Sequence, residues 1–417
     1  MTPPIGRARL IIVSLLAVPL ACLSAAHALS SAGLRNSPEL ALAVFPSNGL
    51  AKEKVAYRTL VAGIQKATSK SDDVSPRPDL DDKGLSLSLK NRPADVMKSA
   101  ARVTGVAREA IRLEPLSPRA FAILALAEQN SQRKKEIVKH ASRLSRRDLV
   151  LQALVLEGRG ETGQYAEAIG TLDEILRVHP ERKAEFFPLL VQALQTKGTV
   201  PEFAKLFGRP LPWREDFLNF ALGDQRALEN LAAVRDRIAI EDGEFDRKLI
   251  AQLANNNRMS SAARIYRRAG GAGVPTVNSG QISWVSNFPP FDWMFANQPG
   301  FRAQVGNGSA NLEIDAQPGN GGVIASRLFI NPERPFVLSI SQDVQPLSQT
   351  KDIKLTIACS GQPNPFFDRP FTEGASSFVV DQMPACPYLS VSIMARAWTG
   401  GQALTGSLSP LRITAKQ

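Results

Sequence analysis

Histidine and cysteine are the scarcest chemically useful residues in this chain, three of each among 417 residues, beside four tyrosines and four tryptophans. His27 falls in the N-terminal segment. His140 stands among lysines and arginines on a basic helical segment. His179 precedes Pro180 at the end of a helical pattern, where an imidazole can meet the last carbonyls. None has chain neighbours at the spacing of a Ser-His-Asp set or a metal site. Glycine-rich segments such as GNGSAN (306–311) precede strand-like rather than helix-like sequence. A phosphate cradle needs a helix N-terminus behind the loop, so these read as turns. Carboxylates are scattered through the C-terminal region (Asp292, Glu313, Asp315, Asp343, Asp352, Asp368 and Asp381) with no pattern that fixes two of them across a cleft. The expectation is a protein without catalytic residues, cofactor or metal.

Long hydrophobic runs are confined to residues 1–28. Arg7 and Arg9 precede an apolar stretch, residues 10–26, and Ala26-His27-Ala28 fits a small-residue cleavage site. This reads as an export signal, either cleaved or kept as a membrane anchor; in both cases the remainder lies outside the cytoplasm, in the periplasm. Cys22 belongs to that segment, and Pro19 stands where a lipoprotein signal carries leucine. The other two cysteines, Cys359 and Cys386, form an even pair, which in an exported chain reads as a disulfide; two buried thiols are the alternative. Such a bridge contributes about 3–4 kcal/mol by loop-closure entropy.

Acidic residues are too few to balance the basic ones. The formal net charge is +11, yet from Trp284 onward nine Lys/Arg meet nine Asp/Glu, so the excess lies upstream. Charge of this kind speaks to association rather than fold. Outside the cytoplasm it favours an acidic polysaccharide or anionic lipid over nucleic acid; a solvated face is the plainer reading.

Residues 29–270 carry helical periodicity. The clearest segment is GQYAEAIGTLDEILRVHP (163–180): Gly163 ends one helix, Ala168, Leu172 and Ile175 recur at helical spacing, and Pro180 stops the next. A similar ending occurs at Ala107, Ala110, Ile111 and Pro115. A further unit starts near Pro118, and its second helix places Ile137, Ala141 and Leu144 on one face. The opposite face carries Arg133, Lys134, Lys135, Lys139, Arg143, Arg146 and Arg147, an amphipathic pattern with a strongly basic outer side. Another unit begins near Glu181, with Phe186, Phe187, Leu190 and Leu194, and turns at Gly198. The later helices, 217–234 and 246–269, fit the period less well. Residues 68–92 are polar and rich in Asp, Pro and Ser, and read as a flexible loop. Helix pairs of this kind cannot bury their apolar faces alone and are expected to stack.

Around Gly270 the texture changes. Residues 271–283 read as a linker, and 284–417 as eight short strands (301–305, 310–314, 323–329, 335–340, 353–359, 377–380, 388–395 and 410–414) separated by turn clusters. That count and spacing predict an antiparallel β-sandwich, jelly-roll-like in size.

The stretches NSPELALAVFPSNGLAKEKVAY (36–57) and LSRRDLVLQALVLEGRGETGQYAEAIGTLDEILRVHP (144–180), with the two-cysteine β-region, carry a family resemblance. The chain resembles bacterial exported tetratricopeptide-repeat proteins with a C-terminal β-sandwich, some of which occur beside exopolysaccharide genes. Ala168, Leu172, Ile175 and Pro180 fall on repeat-packing positions, whereas Leu156 stands where the pattern has a small residue and Arg159 where it has an aromatic one. The resemblance implies an α-solenoid of helical hairpins in an envelope or polysaccharide setting.

Aromatic residues supply the remaining lead. Trp284, Phe288, Phe291 and Trp293 cluster where the β-region starts and are expected to pack its core or seam. Phe366, Phe367 and Phe371 lie in PNPFFDRPF, read as a loop, and Trp398 ends a strand; flat faces there can stack on sugar rings. Two functions are consistent with these features: an exported scaffold whose repeats hold an envelope or polysaccharide-export protein, or a glycan-binding protein that uses its sandwich.

Overall fold

A computed structural model describes residues 7–34, 36–68, 93–196, 198–241, 243–271, 273–307 and 310–416. The expected flexible loop, 68–92, lies outside the described residues from 69 onward, as do residues 308–309 of the glycine-rich turn. Among the described residues, helices run up to residue 268 and antiparallel sheets come after, the α-then-β order expected. The chain divides into two compact units, residues 1–186 and 187–417.

The first unit begins with α1 (Arg7–Gly33) and α2 (Pro38–Val44). No helix among the described residues is long and apolar enough to cross a membrane. The last turns of α1 run past the expected cleavage site and pack on α2 and the turn after it. The buried Ser30 hydroxyl donates to the Ala41 carbonyl at 2.8 Å and accepts from Asn48 Nδ2 at 2.8 Å, and the His27 ring meets Phe45 edge-on.

Hairpins make up the rest of the unit: α3 (Gly49–Thr68) with α4 (Pro93–Leu113), α5 (Pro118–Ala127) with α6 (Ser131–Leu144), and α7 (Leu149–Glu161) with α8 (Tyr165–Val178). Each helix touches the next, and the first helices of successive hairpins also touch, α3 with α5 and α5 with α7. The local sequence explains the ends. Pro118 opens α5 at a position that needs no amide donor, and Asn130 and Asp148 cap α6 and α7 by accepting from the Arg133 and Leu151 amides, each at 3.0 Å. Gly163, with φ +68°, ends α7. Small residues, Ala100, Ala107, Ala110, Ala120, Ala125 and Ala141, are fully buried where helices meet, which lets the backbones approach closely.

The division between units falls within α9 (Lys183–Gln195). In the second unit, α10 (Val200–Phe207) and α11 (Arg214–Ala221) bring Phe203, Phe207, Trp213 and Phe217 together with Phe187, with ring centroids 5.5–6.4 Å apart. Next, α12 (Leu228–Arg235) and α13 (Gly243–Asn255) are clamped by a buried bidentate pair. Arg235 donates from Nε and Nη2 to the two Asp246 carboxylate oxygens, both at 2.7 Å. Finally, α14 (Met259–Arg268) packs on α13.

Thirteen strands are described beyond it, in two sheets. The larger sheet orders β1 (Gly280–Ile282), β13 (Leu411–Ala415), β7 (Phe336–Gln345), β12 (Leu404–Leu408), β5 (Leu312–Ala316), β4 (Phe301–Val305) and β3 (Asn297–Gln298), with β10 (Ala375–Val380) also paired to β7. The smaller orders β2 (Met294–Phe295), β6 (Gly321–Ile330), β11 (Tyr388–Arg396), β8 (Lys354–Cys359) and β9 (Phe367–Pro370). Alternation along β7 and β11 sends Phe336, Leu338, Ile340 and Val344 from one sheet, and Leu389, Val391 and Ile393 from the other, into a single core. Residues 280–282, inside the stretch expected to be linker, form β1 by pairing with β13. Central strand β12 had no counterpart among the expected strands, because its LTGSL sequence lacks β-branched and aromatic weight.

Candidate interaction surfaces

Every second turn of the first unit lies on the same edge of the hairpin stack: residues 45–48, 114–117, 145–148 and 179–182. Neighbouring turns are tied to each other. The Ser117 hydroxyl donates to Glu53, Arg119 Nε lies 3.1 Å from Asp148, and His179 Nε2 lies 3.1 Å from the Arg147 carbonyl. Arg146 pairs with Glu174 at 3.3 Å. Burial drives the Glu53 carboxyl above its ordinary range, against the hydrogen bond from Ser117 and the nearby charge of Arg119. Each turn leaves apolar side chains exposed. Val44, Leu144 and Val178 occupy the same position, the last residue of the helix entering the turn, and Leu50 and Leu116 add to them. Leu116 is 68% exposed. Single exposed leucines are ordinary; recurrence at an equivalent position along one edge is not explained by packing within the unit.

The residues expected at repeat-packing positions lie on α8 and directly after it. Ala168, Leu172 and Ile175 are buried, and Pro180 starts the one-turn 3-10 segment Pro180–Arg182.

Of the seven basic residues expected on the outer side of α6, Arg133, Lys134, Lys135, Lys139 and Arg143 lie on the helix, Lys134 half-buried, whereas Arg146 and Arg147 fall beyond its end in the 145–148 turn. Ala141 is buried, Ile137 and Val138 half-buried, while Arg133, Lys135, Lys139 and Arg143 are exposed or half-exposed. Lys134 pairs with Glu157 at 2.9 Å. Among the described residues Lys135, Lys139, Arg143 and the Arg147 side chain have no acidic partner. His140 is exposed on the same helix.

The aromatic candidates separate. PNPFFDRPF is not a free loop: Phe367 begins β9, and the Phe366 amide donates to the Ile357 carbonyl at 3.0 Å. Phe371 is only 3% exposed, with its ring 5.2 Å from that of Phe378 in the sandwich core. It cannot stack on a ligand, because its apolar area is already committed to packing. Phe366 and Phe367 are half-buried against the same core. Trp398 differs. It is 51% exposed, two residues beyond β11, and the Arg396 guanidinium lies over its ring at 3.9 Å. Around it stand loop residues of the same end of the sandwich: Gly319, whose Cβ position faces Thr399, and Gln349, which donates to the Gln402 carbonyl at 3.1 Å.

The early aromatic cluster packs as expected. Trp284, Phe291 and Trp293 are buried, and Trp284 and Trp293 lie 4.5 Å apart. A polar group that the sequence did not reveal sits beside them. The Tyr266 hydroxyl donates to Asp292 Oδ1 at 2.7 Å, Asp292 Oδ2 accepts the Phe288 amide at 3.0 Å, and Arg327 on β6 lies 3.5 Å from Asp292. All three side chains are buried. Burial, reinforced by the Asp292 carboxylate, drives the Tyr266 phenol far above its ordinary range, and burial lowers Arg327 against the pull of Tyr266 and Asp292. The Tyr266 ring stacks on Phe291 at 5.2 Å, and a Cβ on Gly271 would lie 2.3 Å from that ring. The glycine there serves close packing. Its sequence signal is the same as that of a flexible linker, which is why the seam was not legible.

Cys359 and Cys386 form a disulfide with Cα atoms 5.9 Å apart, joining the end of β8 to the approach of β11. Cys22 is free and exposed. No group of three or more His, Cys, Asp or Glu side chains that could hold a metal occurs among the described residues. Compared with known proteins, the chain matches no protein-family model and no curated sequence.

Proposed function

We propose that this chain is a non-catalytic exported scaffold that holds a protein of the cell envelope or polysaccharide-export machinery on its tetratricopeptide-like hairpins. One observation carries the reading: apolar side chains recur at equivalent positions on one edge of the hairpin stack (Val44, Leu144 and Val178 at helix ends, Leu50 and Leu116 beside them). Surface that is apolar, repeated and unused by its own fold is suited to docking a partner. Helical hairpins present such an edge on a rigid frame, so a partner binds without ordering the scaffold. The export-type N-terminus, Arg7 to Ala28, supports the envelope setting.

The test compares wild type with the double variant Leu116→Glu, Leu144→Glu in crosslinked envelopes of the source cells. Both side chains are exposed, so the fold is expected to persist. The reading predicts one or a few specific partners for wild type and their loss from the variant. Recovery of the same proteins by both would refute the edge as the docking site.

A second reading rests on a different observation. Trp398 is half-exposed and backed by Arg396 on one face, the arrangement of an aromatic platform for a sugar ring. This reading makes the sandwich a glycan-binding module. Retention on polysaccharide gels that falls at least about tenfold in Trp398→Ala, equivalent to the loss of about 1.4 kcal/mol, supports it; unchanged retention removes it.

A further inference from the structure

Helix α6 carries cations against its own stability at its N-terminal end and along its outer side, although Arg143 in the last turn stands where a helix favours positive charge. Arg133, Lys134 and Lys135 occupy its N-terminal end, whose first turn holds no acidic residue, although a helix N-terminus favours negative charge. Lys135, Lys139 and Arg143 stand at i, i+4 and i+8 and repel one another along one side of the helix. That side is opposite the one that packs, where Ala141 is buried and Ile137 and Val138 are half-buried. The available carboxylates do not relieve the stripe. Glu157 is taken by Lys134 and Glu174 by Arg146. Glu136 is exposed on the flank of the stripe and is the one acid within α6. Beyond the helix end the row continues with exposed Arg146 and Arg147. Lys135 and Lys139 have neither an acidic partner nor a favourable helix end, and local choices that run against the stability of an element mark sites whose gain lies outside it.

The geometry points to a docking track for a linear acidic polysaccharide along the outer face of α6, with Lys135, Lys139 and Arg143 as its central cations. At a rise of about 1.5 Å per residue, successive cations of the stripe stand about 6 Å apart. Nucleic acid is disfavoured by setting and not by spacing: the export-type N-terminus, Arg7 to Ala28, directs the chain out of the cytoplasm. A linear polymer with one carboxylate per sugar ring is the anionic partner that fits such a row outside the cytoplasm. An anionic membrane fits less well. Surface-bound amphipathic helices insert apolar side chains beside their cations, and the outer side of α6 between Lys135 and Arg143 presents none. The track rests on the cations of α6 and not on the apolar side chains at Leu116 and Leu144, so its variant differs from those that test the readings above.

The test measures binding of the full chain to polygalacturonate, with neutral dextran, duplex DNA and phosphatidylglycerol vesicles as comparison probes. The variant is Lys135→Gln, Lys139→Gln, Arg143→Gln. Glutamine keeps helix propensity, and removal of the repulsion is expected to leave the melting temperature unchanged or raised, which separates lost binding from lost fold. Wild type is expected to bind polygalacturonate between about 50 and 200 mM salt with affinity falling as salt rises, and not to bind dextran. The variant should bind at least about tenfold more weakly, with the slope of log affinity against log salt reduced by about 2. Binding that is absent in wild type, or equal in the variant, overturns the proposal. Tighter binding to DNA or vesicles than to polygalacturonate overturns the polysaccharide assignment.

Discussion

A Cβ at Gly406 would lie 2.1 Å from the Asp343 carbonyl oxygen, and the residue adopts φ +153°, a conformation that other side chains rarely reach. Gly406 is what lets central strand β12 pair at once with β5 and β7. Gly406→Ala is therefore expected to cost about 3 kcal/mol or more in urea unfolding of the sandwich, from steric overlap and backbone strain combined. A comparable loss is expected where a buried charge loses its partner. Asp246→Ala leaves the Arg235 guanidinium buried without its carboxylate, at a cost of about 3–5 kcal/mol. Glu53 gives a prediction in pH. Its native carboxyl holds its proton to higher pH than the unfolded chain does, because it is buried. Between the two values the native state binds more protons, so this group's contribution to stability is fully present below the unfolded pKa and is lost as pH rises through the native one. Glu53→Gln should flatten that part of the stability–pH curve relative to wild type. An unchanged difference between the two proteins from about pH 4 to 7 would show that the carboxyl is not perturbed.

At the scale of elements, periodicity was the legible part. The hairpins of the first unit and strand β4 match the sequence reading, because their buried positions keep one period. Strands β9 and β12 did not announce themselves. FDRP is charged and ends in proline, and LTGSL is held by its neighbours rather than by its own propensity. Of the candidate site, the basic side of α6 was readable from pattern; for Trp398 the sequence left packing and exposure both open. The burial of Phe371 was not readable, since a phenylalanine before a turn looks the same whether it faces a core or water. The disulfide was readable from cysteine parity, and its position has an energetic consequence. It closes a separation of 27 residues that contains β9 and β10. Cys359→Ser with Cys386→Ser should lower the unfolding free energy by about 3–4 kcal/mol; a loss below about 1 kcal/mol would mean that those two strands are held without it.

At the scale of the molecule, composition located where helices give way to strands but not how the second unit is built. Residues 187–417 form one unit because Tyr266, Asp292 and Arg327 tie α14 to the sandwich and Phe291 stacks on Tyr266. Contacts of that kind join residues far apart in sequence and leave no periodic trace. A fragment of residues 187–417 should therefore unfold in one transition, whereas a fragment starting at residue 284 should be markedly less stable, having left Asp292 and Arg327 without Tyr266. Coincident stabilities for the two fragments would disprove that seam. The first unit offers the surface on which the functional account depends. A photocrosslinking side chain placed at position 116, and separately at position 398, tests that account directly in living source cells. The scaffold reading predicts a discrete protein adduct from position 116. No adduct from 116, with capture of polysaccharide from 398, would contradict it.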